Sequence, residues 1–256
     1  MKALILAGGL GTRLREETEF RPKPMVEIGG RPVLWHIMKG LAAQGITDFV
    51  VATGYKSEAI KEFFLNYEAL TSDFSMRLGD RSSLSVHSTH DEAHWSVTVL
   101  DTGLNTQTGG RVWRAWPYMG DEPFLITYGD GLADVDISEV RAVFDRTDSL
   151  ATVTAVNQPS RFGILEIVDG GIVKEFREKP ASDDWINAGF IVMDPRARDY
   201  FDADCVMETG PLVKLASDSR LSAYRHHGFW QPMDTYREAQ LLNGLWDRGE
   251  APWKTW

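Results

Sequence analysis

Cysteine is almost missing from this chain: Cys205 is the only one among 256 residues. An intrachain disulfide and a cysteine-rich metal site are therefore excluded. No apolar stretch approaches the roughly 18–20 residues that span a bilayer, so no membrane partner is expected. The first residues lack the long apolar region and cleavage site of a secretory leader, and a cytoplasmic setting follows as the expectation. The net charge is −10 and no strongly basic run is present. Nucleic acid is thereby disfavoured as a partner, since binding it relies on clustered cations that displace counterions. The six histidines show no metal-ligand spacing, and the adjacent pair His226 and His227 receives no role. Without a Gly-x-Ser-x-Gly elbow or a setting for a nucleophilic cysteine, covalent catalysis has no support.

Against these absences stands a dense block at the amino terminus. Leu6-Ala7-Gly8-Gly9-Leu10-Gly11-Thr12-Arg13-Leu14 follows a short apolar run and precedes Arg21-Pro22-Lys23-Pro24-Met25. Glycines let a loop take positive φ and bring its N–H groups close to a ligand. Such N–H arrays bind anions, and nearby cations suit a polyphosphate. Two well-known cradles do not fit. The dinucleotide fingerprint needs a third glycine three positions after the second, and the P-loop needs Gly-Lys-Ser/Thr; neither pattern occurs here. A plain glycine-rich strand-to-helix turn is the simpler alternative, weakened by Thr12-Arg13 and by the lysine held between prolines. In an acidic chain, any anionic substrate must be held by a few local cations such as Arg13, Arg21 and Lys23.

An apolar content of 43% supports a substantial core. Strand-like segments at 3–6, 48–53, 98–100, 124–128 and 151–156 alternate with helix-like ones at 32–44, 56–66, 110–116 and 137–146. This order predicts an α/β fold with a mixed, mostly parallel sheet covered by helices on both faces. After Val156 the pattern turns β-rich. A hairpin is expected around Asp169-Gly170, then a strand at 185–193, helical pieces at 195–201 and 211–216, and a closing helix at 235–246. One domain over 1–256 is expected, in two parts, 1–156 and a smaller one at 157–256. Residues 67–96 read as a long irregular surface excursion, of a kind used in subunit contact.

In open parallel sheets, ligands bind beyond the carboxyl ends of the strands. Both the glycine block and Gly129-Asp130-Gly131 sit at such ends. Asp130 is thus a candidate ligand for Mg²⁺, an ion typically held by one or two carboxylates plus substrate phosphate; an ordinary turn aspartate is the alternative. Asp234, after Phe229-Trp230-Gln231-Pro232-Met233, is the second candidate, although locally it also suits the N-cap of the last helix. Asp134-Val135-Asp136 invites a metal-dependent glycosyltransferase reading, but capping of the following helix explains it adequately. Glu178, Lys179 and Asn187 suit the hydroxyls and phosphate of a sugar phosphate, or else a surface turn.

These residues together resemble the sugar-1-phosphate nucleotidylyltransferases, and among them the branch that uses CTP and glucose 1-phosphate. The resemblance rests on the glycine block with Lys23-Pro24-Met25, Leu34-Trp35-His36, Asp101-Thr102-Gly103, Thr108-Gly109-Gly110-Arg111, Thr127-Tyr128-Gly129-Asp130-Gly131, Arg161-Phe162-Gly163 and Phe229-Trp230-Gln231-Pro232-Met233-Asp234. It covers essentially the whole chain. It implies a Rossmann-like three-layer fold, a nucleotide-binding part at 1–156, a smaller sugar-phosphate-binding part at 157–256, and a homo-oligomer. It implies CTP held by residues Leu6, Ala7, Gly8, Gly9, Leu10, Gly11, Thr12 and Arg13, with Arg13 and Lys23 on its phosphates. Thr106, Arg111 and Gly129 would lie at the nucleotide, Asp130 and Asp234 at Mg²⁺, and Glu178, Lys179 and Asn187 at the sugar phosphate. Arg13, Lys23 and Asp130 would carry the catalysis. A guanidinium donates only, so Arg111 is expected to match the acceptor edge of cytosine. The segment Val206-Met207-Glu208-Thr209-Gly210-Pro211 departs from the family pattern, a departure that bears on sugar choice. Another sugar 1-phosphate, or UTP or dTTP, is the alternative substrate reading.

Overall fold

The computed structural model describes residues 1–88, 90–158, 163–178 and 184–256. Its centre is an eight-stranded sheet built from β1 (Ala3–Ala7), β2 (Asp48–Thr53), β3 (Ser96–Asp101), β4 (Phe124–Tyr128), β5 (Ala151–Val156), β6 (Ile186–Asn187), β7 (Ile191–Met193) and β8 (Leu221–His226). The β1 strand lies parallel between β2 and β4, and β3 continues the parallel set beside β2. Beyond β4 the direction reverses: β7 is antiparallel to β4 and to β5, while β8 runs parallel to β5. The sheet is mixed and the fold three-layered.

Alternation of side chains decides which face each helix covers. Ala3, Ile5, Phe49 and Val51 point to a core shared with Leu34, Ile37 and Met38 of α1 (Val33–Ala42) and Ile137, Val140 and Phe144 of α4 (Ile137–Arg146). Their neighbours Leu4, Leu6, Val50 and Ala52 point to a second core with Val112 and Ala115 of α3 (Thr108–Ala115). Because both faces are covered, the central strands are continuous apolar runs rather than alternating ones. On the first face α2 (Ser57–Leu65) contributes Ile60. The closing helix α5 (Tyr236–Asp247) adds Ala239 and Leu242 there.

Two expected segments differ. The strand expected at 185–193 is split into β6 and β7, because Gly189 and Phe190 take positive φ of 80° and 48° and turn the backbone out of the ladder. Residues 67–96 are more ordered than an irregular excursion. They hold a helix, Tyr67–Thr71, and an antiparallel hairpin, Phe74–Arg77 with Asp80–Val86. The hairpin is largely exposed, its apolar residues Phe74, Met76, Leu78 and Leu84 included.

The carboxyl-terminal tail is anchored by aromatic packing. Trp253 is 2% exposed and lies among His36, Trp246 and Phe229. The His36 Nε2 lies 2.8 Å from the Ile28 carbonyl, while Trp253 Nε1 donates to Nδ1 at 3.4 Å. These partners suit the neutral ring with its proton on Nε2. Burial pushes the His36 pKa down to about 4.

Candidate active site

The parallel pairing of β1 with β2 and β4 brings Gly8, Gly54 and Gly129 to one edge, since Ala7 stands opposite Thr53 and Leu6 opposite Tyr128. Under this edge lies Arg111, 4% exposed. A Cβ at Gly8 would stand 2.2 Å from its Cζ and a Cβ at Gly54 2.5 Å from NH1, so glycine at both positions makes room for the guanidinium. Its NH1 donates to Thr53 O, Thr102 Oγ1 and Gly103 O at 2.8, 2.6 and 2.9 Å. Its NH2 donates to Gly8 O and Leu104 O at 2.9 and 3.3 Å. Burial lowers its pKa, but these carbonyls keep the cation satisfied. The terminal nitrogens thus tie the glycine loop to its neighbours, and the direct cytosine-edge role expected of Arg111 does not match this use of its donors.

The loop itself is folded by local bonds. Gly11 takes φ +63°, and the Thr18 hydroxyl donates to Gly11 O and Leu14 O at 3.0 and 2.9 Å. Tyr55 in turn donates to Thr18 O at 3.1 Å. Lys23 opens a single 3₁₀ turn, Lys23–Met25, where Pro22 sets an extended entry and Pro24 the helical φ.

Asp130 and Asp234 are far apart in sequence and adjacent in space. A short antiparallel ribbon, Gly131–Ala133 with Trp230–Pro232, pairs Gly131 with Pro232. Asp130 therefore precedes one strand at the end where Asp234 follows the other, and Met233 N donates to Asp130 O at 2.8 Å. The Lys23 ammonium sits between the two carboxylates, 2.5 Å from Asp130 Oδ2 and 2.6 Å from Asp234 Oδ1. Arg13 reaches Asp234 Oδ2 at 2.8 Å. Its side chain is 70% exposed, so this pair is screened and adds little stability.

The last helix is capped by Thr235, not Asp234. The Thr235 hydroxyl accepts from Glu238 N at 3.3 Å, and the Glu238 carboxylate accepts from Thr235 N and Asp234 N at 2.8 and 2.7 Å. The Asp234 carboxylate is thereby turned toward Lys23 and Arg13. Asp136 caps α4, accepting from Ser138 N at 2.8 Å. Asp134 accepts from Phe229 N at 2.7 Å and pairs with His226. The Asp134-Val135-Asp136 stretch is thus accounted for by capping and packing.

A cavity of about 310 Å³ joins these parts. It is lined by Leu6, Ala7, Gly8, Gly9, Gly11, Thr12, Arg13, Lys23, Thr106, Arg111, Gly129, Asp130 and Asp234. Leu10 does not line it; its side chain turns outward and the residue is 50% exposed. Nor do Glu178 and Asn187 line it. Glu178 lies over Gly163 at the base of the ribbon Ile164–Val168 with Ile172–Arg177. Lys179 lies outside the described residues. The sequence reading missed Pro24, Gln107, Thr108 and Tyr128, which complete the wall. Tyr128 was hidden in an ordinary buried strand pattern; only its place at the strand's last position signals the site. Two carboxylate oxygens meeting one ammonium form an acidic donor pair open to the cavity. With phosphate oxygens and water added, that set fits a hard divalent cation such as Mg²⁺.

The fold and the site together define a nucleotide-handling α/β architecture whose ligand edge carries cations and paired carboxylates. The nucleotidyl transferase family model matches residues 2–204, and the chain belongs to that family. It is 50% identical to a glucose-1-phosphate cytidylyltransferase of Salmonella typhi, with 100% of each chain covered. It is 43% identical to a probable glucose-1-phosphate cytidylyltransferase of Bacillus subtilis (strain 168), again with 100% of each covered. Among solved structures, a UDP-glucose pyrophosphorylase complexed with UDP-glucose superposes with a TM-score of 0.69 over 97% of this chain and 98% of that one. At 16% identity that likeness is one of fold.

Proposed function

We propose that the protein transfers a cytidylyl group from CTP to α-D-glucose 1-phosphate, giving CDP-glucose and pyrophosphate. The observation that carries the reading is the single cavity in which the glycine loop, Arg13, Lys23 and the Asp130–Asp234 pair converge. Full-length identity to glucose-1-phosphate cytidylyltransferases supports the choice of CTP and glucose.

The reaction is an in-line displacement. A phosphate oxygen of the sugar phosphate forms a bond to the α-phosphorus, the bond from that phosphorus to the bridging oxygen breaks, and its electron pair leaves with pyrophosphate. The second ionisation of a phosphate monoester lies near pH ~6, so the nucleophile is anionic at neutral pH and no general base is needed. What remains is to hold two anions together and stabilise developing charge. Lys23 is suited to the α-phosphate and Arg13 to the departing pyrophosphate, with loop N–H groups of residues 8–11 along the chain of phosphates. Asp130 and Asp234 would hold Mg²⁺, which when bound supplies Lewis-acid stabilisation of phosphoryl oxygens. Glu178, Lys179 and Asn187 are proposed for the sugar phosphate, in the part at 157–256.

A homo-oligomer in the cytoplasm and a role in deoxysugar and surface-polysaccharide synthesis accompany this reading. No helix among the described residues is long and apolar enough to cross a membrane. The test is pyrophosphate release measured across a matrix of nucleoside triphosphates and sugar 1-phosphates. The highest kcat/KM is expected with CTP and glucose 1-phosphate. A preference for UTP, dTTP or another sugar 1-phosphate would keep the chemistry and replace the substrates.

A further inference from the structure

The segment Val206–Pro211, where the sequence departs from its family pattern, places one carboxylate against both walls of the cavity. Glu208 Oε1 accepts from the Tyr128 hydroxyl at 2.5 Å, and Oε2 accepts from the Thr108 hydroxyl at 2.6 Å. Thr108 is the first residue of α3, beside Thr106 and Gln107 on the cavity wall. Its hydroxyl oxygen in turn accepts from Met207 N at 3.0 Å. The Tyr128 ring packs against Gly189, where a Cβ would stand 2.8 Å from its Cδ2.

Asn187 Oδ1 accepts from Gly189 N at 3.0 Å, which ties Asn187 to the turn beneath the Tyr128 ring. Tyr128 donates its single proton to Glu208. Thr108 accepts from Met207 and donates to Glu208. Both chains end on a group that only accepts, which an ionised carboxylate does and an amide does not.

We propose that Glu208 is a positioning residue that sets the distance between the two substrates. Through Thr108 it fixes the amino-terminal turn of α3 on the nucleotide side. Through the Tyr128 ring it fixes the Gly189 turn, and with it Asn187, on the sugar side. The inference rests on the nucleotidyl-transfer reading above, in which the attacking sugar phosphate and the α-phosphate of the nucleotide must be closely aligned.

Three variants test it, with kcat and both KM values measured beside the wild type. Tyr128→Phe cuts the sugar branch alone and should raise KM for glucose 1-phosphate about tenfold, as loss of a hydrogen bond to a charged group does, while KM for CTP stays within about twofold. Thr108→Val cuts the nucleotide branch and should give the reverse split. Glu208→Gln, which sets an amide donor against one of the two hydroxyls, should raise both. Folded Tyr128→Phe and Thr108→Val proteins that leave both KM values unchanged, or move both equally, would overturn the proposal. A wild type that prefers other substrates corrects the substrate reading instead, and the split is then read with that pair.

Discussion

Two clusters of ionisable groups in this protein are built on opposite rules. Beneath the carboxyl-terminal tail, His36 is 1% exposed among tryptophans and is held neutral by burial. At the cavity, Lys23 stays between Asp130 and Asp234, whose side chains are 31% and 14% exposed. Burial without a counter-charge removes the charge; partial burial with opposed charges keeps it. The first cluster therefore serves cohesion, and the second keeps charge where phosphates can meet it.

The largest expected effect lies in the aromatic cluster. Trp253→Ala should lower unfolding free energy by about 3–5 kcal/mol, read from urea unfolding, because a fully buried indole is lost. A loss under about 1 kcal/mol would mean that the tail is not part of the core. His36 gives a pH test of the same cluster. Its folded pKa of about 4 lies below the unfolded value of 6.5. The unfolded chain thus binds the proton first as pH falls. Stability is full above pH 6.5, declines toward pH 4 by about 3 kcal/mol and then levels off. In His36→Leu that slope should flatten.

At the cavity the ranking of stability and activity should reverse. Lys23→Ala and Asp130→Ala should each lower kcat by about 10²-fold or more, with a smaller change in unfolding midpoint than Trp253→Ala causes. Near-normal turnover in either would remove the catalytic assignment. The smallest effect is expected from Thr235→Ala, which deletes the capping box at about 1 kcal/mol. It leaves the Glu238 carboxylate on the backbone N–H groups of Asp234 and Thr235, the bonds that aim Asp234, so kcat and KM for CTP should change little. A large rise in KM for CTP would show that the Thr235 hydroxyl itself holds that turn.

Much of this was legible in the sequence, for identifiable reasons. The strands at 48–53 and 124–128 are largely apolar and that at 151–156 is rich in β-branched residues, and the structure keeps all three bounds. The helix at 137–146 announced its cap in Asp136. Less legible were elements fixed by tertiary pairing. The two-strand ribbon that joins Asp130 to Asp234 has only three residues on each side, too few for a periodic signal. The break between β6 and β7 depends on positive φ at Phe190, which no propensity favours. In the sequence Arg111 reads as a contact to the acceptor edge of cytosine, because a guanidinium only donates. Only the folded arrangement revealed how many carbonyls surround it.

The most direct test of the account is ³¹P NMR of the wild-type protein with CTP, α-D-glucose 1-phosphate and Mg²⁺. The account predicts loss of both substrate signals and growth of CDP-glucose and inorganic pyrophosphate in equal amounts. Unreacted substrates, or orthophosphate formed by hydrolysis in place of pyrophosphate, would contradict it.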